Sequence, residues 1–223
     1  MTRLARLLLV AVLLVATLGV SAALLARRHQ VPAVPRPEFP TVLLPEPNVP
    51  LRDLAHQAGL AVDPIPGGRL VVHKAALTLS FYAGDRRLKT YPIARGFGDL
   101  GDKGQRDDGR TPEGTLRIVQ RVRQAQPTNW SDVWMRLDYP LPEDAERGLA
   151  AGLINRRQHD AIVSAHRRGV TPPQNTALGG GVGIHIGGPW PRQWTSGCLG
   201  LRREDGLEIY DQVRVGTTVT IGQ

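Results

Sequence analysis

Cysteine is almost missing from this chain: Cys198 stands alone among 223 residues. A lone thiol excludes an intramolecular disulfide framework and leaves a small buried apolar residue, a free thiol or a nucleophile. Zinc is not expected, because Cys198 and His185 together fall short of the usual ligand count. Aromatic residues are scarce, 5% of the chain, and they are not interleaved with basic ones as a nucleic-acid surface requires. The excess of 28 Lys and Arg over 20 Asp and Glu therefore reads as a solvated basic surface, compatible with a polyanionic or carboxylate-rich extracytoplasmic partner and not with nucleic acid. Asp102, Asp107, Asp108 and Glu113 lack EF-hand spacing, so no metal site is expected there either.

Long apolar runs are limited to one. Leu7 to Ala26 is an uncharged run of twenty, flanked by Arg3, Arg6, Arg27 and Arg28. As a helix it would measure about 30 Å, the thickness of a bilayer core. Residues 1–28 are expected to be a signal anchor in the cytoplasmic membrane, or a signal peptide cleaved near Ser21-Ala22-Ala23; the length of the run favours the anchor. Arginines on both flanks leave the orientation open. Residues 29–66 follow as a proline-rich spacer and a short helix; the stretch from Val31 to Pro50 carries seven prolines and is stiff and at most about 60 Å long at ~3.1 Å per residue. Leu51 to Leu60 reads as a short amphipathic helix packed on the domain.

The domain proper, 67–223, opens with strand-like Arg69–Lys74, Ala76–Tyr82 and Leu88–Ile93, a meander turning at Gly84-Asp85. Thr111-Pro112-Glu113-Gly114 is a turn feeding a strand over Thr115–Val122. Trp130, Trp134 and Tyr139 fall in a loop or short strand. Two helices are expected over 142–154 and 155–166: Pro142 suits a first turn, Asn155 can cap, and Gly169 follows. This insert of about 140–170 packs as a helical hairpin, with a lid or substrate-recognition role as the functional alternative. His159 and His166 read as structural. Beyond it come a strand at Val182–Ile186, a helix at Arg203–Val213 and a last strand at Thr217–Ile221.

The chemistry-bearing stretch is Gly183-Ile184-His185-Ile186-Gly187, followed thirteen positions after the histidine by Cys198 within Trp194-Thr195-Ser196-Gly197-Cys198-Leu199. Gly197 allows a sharp turn and close approach of a substrate, and the N–H groups of Gly197 and Cys198 could cradle an oxyanion. His185 is a base able to hold the thiol as thiolate. Thr195 can hold the cysteine turn by a hydrogen bond or serve it sterically.

These elements in this order resemble the YkuD-type L,D-transpeptidase catalytic domain over about Arg69 to Ile221, on His185, Thr195, Gly197 and Cys198. Gly96 or Gly98, Gly101-Asp102-Lys103 and Thr111-Pro112-Glu113-Gly114 add upstream matches. The Gly-Asp-Lys form looks closest to a subgroup that includes wall-lipoprotein-cleaving relatives. The resemblance implies a mostly β fold, a small sandwich or curled sheet with Cys198 at one end and a helical insert, lying outside the cytoplasm, periplasmic or facing the cell wall. It implies a peptidoglycan L,D-transpeptidase: Cys198 attacks the stem peptide at the third residue, D-alanine leaves, and an amine accepts the acyl group. The partners would be peptidoglycan stem peptides and the inner membrane. No organic cofactor is needed, and the oligomeric state is open. A carbonyl or hydroxyl near Gly187-Gly188 is expected to orient His185, and Gly187, Gly188, Trp194 and Arg202 are candidate substrate contacts.

Three departures stand out. Ile186 replaces glycine after the histidine, Ser196 stands where many members carry a second histidine, and Gly200 where many carry arginine or asparagine. Arg202 and Arg203 are candidate replacements. The alternatives are a hydrolase on the same scaffold, an L,D-carboxypeptidase or an endopeptidase releasing wall-attached protein, and a non-catalytic wall-binding module.

Overall fold

The computed structural model of the protein describes residues 49–124, 132–188 and 192–223. The apolar run at Leu7–Ala26, most of the proline-rich spacer and Trp130 lie outside the described residues. Among the described residues no helix is long and apolar enough to cross a membrane.

Among the described residues, ten strands and four helices follow one another as α1 (Leu51–Gln57), β1 (Gly68–His73), β2 (Thr78–Ala83), β3 (Arg86–Pro92), β4 (Arg95–Gly96), β5 (Gly114–Arg123), β6 (Val133–Leu137), α2 (Pro142–Ala150), α3 (Arg156–Arg167), β7 (Gly183–Ile186), β8 (Gln193–Thr195), β9 (Leu199–Leu201), α4 (Arg203–Gln212) and β10 (Thr218–Gly222). Eight strands make one mixed sheet in the order β3-β2-β1-β10-β5-β6-β7-β9, and β4 pairs β8 beside it. Of the two architectures expected, sandwich or curled sheet, the chain takes the curled sheet. The bend falls on β5. Its first residues, Gly114–Arg117, pair with β10, while Ile118–Arg123 pair with β6 across a register shift between Ile118 and Gln120. An irregularity of that kind bends the strand and increases its twist.

One core fills the curl. Leu70 and Val72 of β1, Leu79 and Phe81 of β2, Leu116 and Ile118 of β5, Met135 and Leu137 of β6, Ile184 and Ile186 of β7, and Leu199 and Leu201 of β9 all belong to it. Helix α1 adds Leu51 and Ala55, both fully buried, so the domain's core begins upstream of residue 67. Helix α4 approaches β7 closely at Gly206, where a Cβ would lie 2.7 Å from Ile186 Cγ1.

The helical insert forms a hairpin with a small core of its own, Ala145, Ile154, Ile162 and Leu178, with Leu149 against it. Pro142 opens α2. That helix stops at Ala150 instead of reaching Ile154, because the chain turns at Gly152 with φ +70°. Asn155 caps α3 by accepting from the Gln158 N–H, and the Gln158 side chain answers to the Asn155 N–H; such a box satisfies two orphan donors of the first turn. His159 bridges Glu146 and Asp160 at 2.8 Å each. The His166 Nε2 lies 2.9 Å from the Pro140 carbonyl, tying α3 to the chain that leaves β6.

Candidate active site

Side chains alternate across a strand, and that period assembles the site. On β6, β7 and β9, Val133, Met135, Leu137, Ile184, Ile186, Leu199 and Leu201 face the core, all buried. The intervening residues share the opposite face. Registers Trp134↔His185 and Arg136↔Gly183 join β6 to β7, and His185↔Gly200 joins β7 to β9. Cys198 immediately precedes β9, since Ile184 pairs with Leu199. His185 and Cys198 therefore reach one face from neighbouring parallel strands.

His185 is boxed by aromatic rings. Trp134 stacks on it with centroids 6.0 Å apart and an interplanar angle of 26°, and Trp194 meets it edge-on at 5.7 Å. Two glycines make room. A Cβ on Gly183 would lie 2.7 Å from the Met135 carbonyl oxygen and 2.7 Å from Trp134 Cη2; one on Gly200 would lie 3.4 Å from Trp194 Cζ2 and 3.3 Å from the Gly188 carbonyl oxygen. Trp194 thus packs directly over the bare backbone of Gly200. The His185 Nδ1 is 2.8 Å from the carbonyl oxygen of Ile186. A carbonyl only accepts, so Nδ1 carries the proton and Nε2 keeps its lone pair. The orienting group is the backbone carbonyl of Ile186, in the peptide that leads into Gly187-Gly188. Burial holds the imidazole below its ordinary pKa against the opposing pull of that hydrogen bond, so His185 is neutral at pH 7.

Cys198 sits in a turn built around Thr195. The Thr195 hydroxyl, 3% exposed as a residue, donates to the Cys198 carbonyl at 2.6 Å and accepts from the Gly197 N–H at 3.2 Å. Gly197 has φ +135°, and a Cβ there would lie 2.7 Å from the Arg110 carbonyl oxygen, so only glycine fits. Thr195 therefore holds the turn by hydrogen bonding. The same bond commits the Gly197 N–H inside the turn, and it is not turned to a substrate oxygen as the sequence reading expected. The Cys198 thiol donates to the Gly181 carbonyl at 3.4 Å. Burial pushes this thiol above its ordinary pKa; a hydrogen bond from the Gly183 N–H and the charges of Lys103 and Arg136 pull it down without winning. Thiol and imidazole are both neutral at rest.

The remaining candidates are placed as follows. The Gly187 and Gly188 N–H groups both bond the Leu201 carbonyl, at 3.1 and 2.8 Å, and the Gly188 carbonyl accepts from Trp194 Nε1 at 3.2 Å; the two glycines hold the histidine and tryptophan walls. Ser196 is exposed at the turn. Arg202 is paired with Asp205 at 2.7 Å in the first turn of α4, and Arg203 is paired with Asp132. Both are engaged at the start of α4. Sequence reasoning gave no role of their own at the site to Trp134, Gly181, Gly183, Arg136 and Lys103. The alternation Val133-Trp134-Met135-Arg136-Leu137 was the signal available for the first and fourth. The upstream loop also packs here: Cβ atoms on Gly96 and Gly98 would lie 2.1 and 2.6 Å from the carbonyl oxygens of Gly109 and Asp108.

Fold and site together define a mostly β domain that presents a thiol and a neutral imidazole on one sheet face. The chain belongs to the YkuD family of L,D-transpeptidase catalytic domains, whose family model matches residues 67–221. It is 30% identical over 176 residues to the probable L,D-transpeptidase YcfS of Escherichia coli strain K12; the match covers 78% of this chain and 48% of YcfS, so the chain spans about half the length of that curated relative. Among solved structures it is similar to Bdellovibrio bacteriovorus Bd1075 (20% identity, TM-score 0.45, 70% of this chain and 48% of that one). It is also similar to the helical cell shape determining protein Pgp2 of Campylobacter jejuni (17% identity, TM-score 0.44, 74% and 52%).

Proposed function

We propose that this protein is a peptidoglycan L,D-transpeptidase in which Cys198 is the nucleophile and His185 the base. The observation that carries the reading is the fixed tautomer of His185: with Nδ1–H held by the Ile186 carbonyl, Nε2 is free to take a proton on the face that Cys198 shares. The Cys198 proton passes to Nε2, and the sulfur attacks the carbonyl carbon between the diamino-acid residue and the terminal D-alanine of a stem tetrapeptide. The tetrahedral oxyanion is met by the Cys198 N–H. The imidazolium then protonates the departing D-alanine nitrogen, leaving a thioester, which the amine of a second stem opens to give the crosslink and return the thiol. Trp134 and Trp194 keep water from the imidazole and fix its plane.

Residues 1–28 in this reading are the signal anchor or signal peptide, 29–66 the spacer and short helix, and 67–223 the catalytic domain, working outside the cytoplasm on the wall. Incubation with disaccharide-tetrapeptide, followed by mass spectrometry of the products with Cys198→Ala as control, tests it. A dimer joined through two third-position residues and absent with Cys198→Ala supports transpeptidation. Tripeptide without dimer moves the assignment to a carboxypeptidase, and no Cys198-dependent change to a wall-binding module.

A further inference from the structure

Lys103 lies in the loop between β4 and β5, yet its side chain is only 4% exposed. Its Nζ is 3.9 Å from the point where a Cβ on Gly197 would stand, placing the ammonium against the cysteine turn. One acceptor is in reach among the described residues, Asp108 Oδ1 at 2.7 Å. An ammonium carries three N–H donors, so two are left over in a nearly closed position. A buried charge of that kind is costly unless something repays the lost hydration. The Asp108 carboxylate is fixed from the other side: Oδ2 accepts from the Gly104 and Gln105 N–H groups at 2.8 and 3.1 Å, and Oδ1 also accepts from the Arg110 N–H at 3.0 Å. Burial works against its charge, but the bond from Lys103 and these three N–H groups prevail and hold the carboxyl below its ordinary range. Lysine and carboxylate are therefore clamped together, with the lysine end toward Cys198.

Among the described residues, the charged and titratable groups facing Cys198 are few. From β7 comes His185, neutral at rest and so no counter-charge to a thiolate before the proton moves. From β6 comes Arg136, whose Nε and Nη1 are bound to the side-chain oxygens of Gln120 and Gln174 at 2.9 and 3.0 Å. From the β4–β5 loop come Lys103 and its Asp108. We infer that Lys103 is a positioning residue whose charge favours the thiolate of Cys198 and the negative charge that passes from it to the tetrahedral oxyanion, with Asp108 setting how much of that charge the sulfur feels. The inference rests on the nucleophile assignment of Cys198. In chain terms, the Gly-Asp-Lys turn contributes electrostatics to a site nearly a hundred residues downstream.

The test is the rate of iodoacetamide alkylation of the single thiol as a function of pH, on the full folded chain, for the parent, Lys103→Met and Asp108→Asn. Alkylation follows the thiolate fraction. Removing the lysine charge is expected to slow the reaction on the order of tenfold at pH 7.5, while the rate at alkaline saturation stays that of the parent. Asp108→Asn is expected to do the reverse, speeding alkylation at pH 7.5, because the lysine charge is then uncompensated. Superposable profiles for parent and Lys103→Met overturn the inference, as does a shift of both variants in the same direction. If Lys103→Met does not fold, Asp108→Asn decides: a profile that fails to move toward lower pH overturns it. No substrate is involved, so the two claims separate. Loss of the Cys198-dependent product sinks the proposed reaction and leaves this readout standing, whereas normal turnover with unshifted profiles sinks only the role of Lys103.

Discussion

Replacing Thr195 by valine removes one oxygen atom and keeps the side chain's shape. That oxygen makes two bonds, donating to the Cys198 carbonyl at 2.6 Å and accepting from the Gly197 N–H at 3.2 Å. Gly197 is buried and its backbone has no alternative, since φ +135° and the nearby Arg110 carbonyl fix it. An orphaned buried polar group costs about 1–3 kcal/mol. With the half-buried Cys198 carbonyl partly rescued by water, the pair should cost about 2–4 kcal/mol. For a domain of this size that lowers Tm by about 5–15 °C. Thr195→Ser keeps the hydroxyl and should recover most of the loss, and turnover of the tetrapeptide should fall about tenfold or more in the valine variant because the sulfur is no longer held. Urea unfolding followed by circular dichroism, with the product assay alongside, measures both. A valine variant within about 0.5 kcal/mol of the parent and fully active would refute the idea that this hydroxyl builds the cysteine turn.

Three further outcomes follow from the same geometry. Gly183→Ala pushes a Cβ to 2.7 Å from the Met135 carbonyl oxygen and Trp134; overpacking against backbone should cost about 1–3 kcal/mol, and the tryptophan's near-ultraviolet circular dichroism should change as it leaves His185. The pKa of His185 is depressed by burial, so the acid limb of the acyl-transfer rate should lie below pH 6.5; the unfolded chain takes up a proton that the folded one refuses, and this group's contribution to stability is present above pH 6.5 and lost as pH falls. A limb above pH 7 would show that the imidazole is not desolvated. Asp144 is opposite in sign. Burial, against its bonds from the Leu141 N–H and Arg147, raises its carboxyl to about 6, so the folded chain keeps a proton between about pH 4 and 6 that the unfolded chain has lost. Urea unfolding should show the parent gaining on Asp144→Asn by up to about 3 kcal/mol between pH 7 and 4; a pH-independent difference would contradict it.

Much of the fold was legible because local chemistry announced it. The β1–β3 meander, the Pro142 helix start, the Asn155 cap and the strand carrying His185 each rest on a few adjacent residues, and the structure keeps them within a few positions. What stayed hidden depends on long-range pairing. β4, β8 and β9 are two or three residues long and have no pattern of their own. β10, the last strand, lies parallel to β1 between it and β5, an insertion that no local signal encodes. Within the site, Cys198 stood out as the lone cysteine, and its pairing with His185 came from the flanking residues that resemble the family. Trp134 did not stand out, because a tryptophan in a five-residue strand looks like ordinary core until its register with His185 is known. The Gly197 N–H seemed available to a substrate because the claim of Thr195 on it is a matter of rotamer. Lys103 entered only as part of the Gly101-Asp102-Lys103 match, and only the fold reveals that its ammonium is buried against the cysteine turn.

The most direct measurement is the intact mass of the protein quenched in acid during turnover of a disaccharide-tetrapeptide. The expected result is a mass gain equal to the substrate acyl group after loss of D-alanine, mapped by peptide analysis to Cys198, labile to hydroxylamine and absent in Cys198→Ala. Product formation that persists in Cys198→Ala, with no adduct on the parent, would contradict the assignment of Cys198 as the nucleophile.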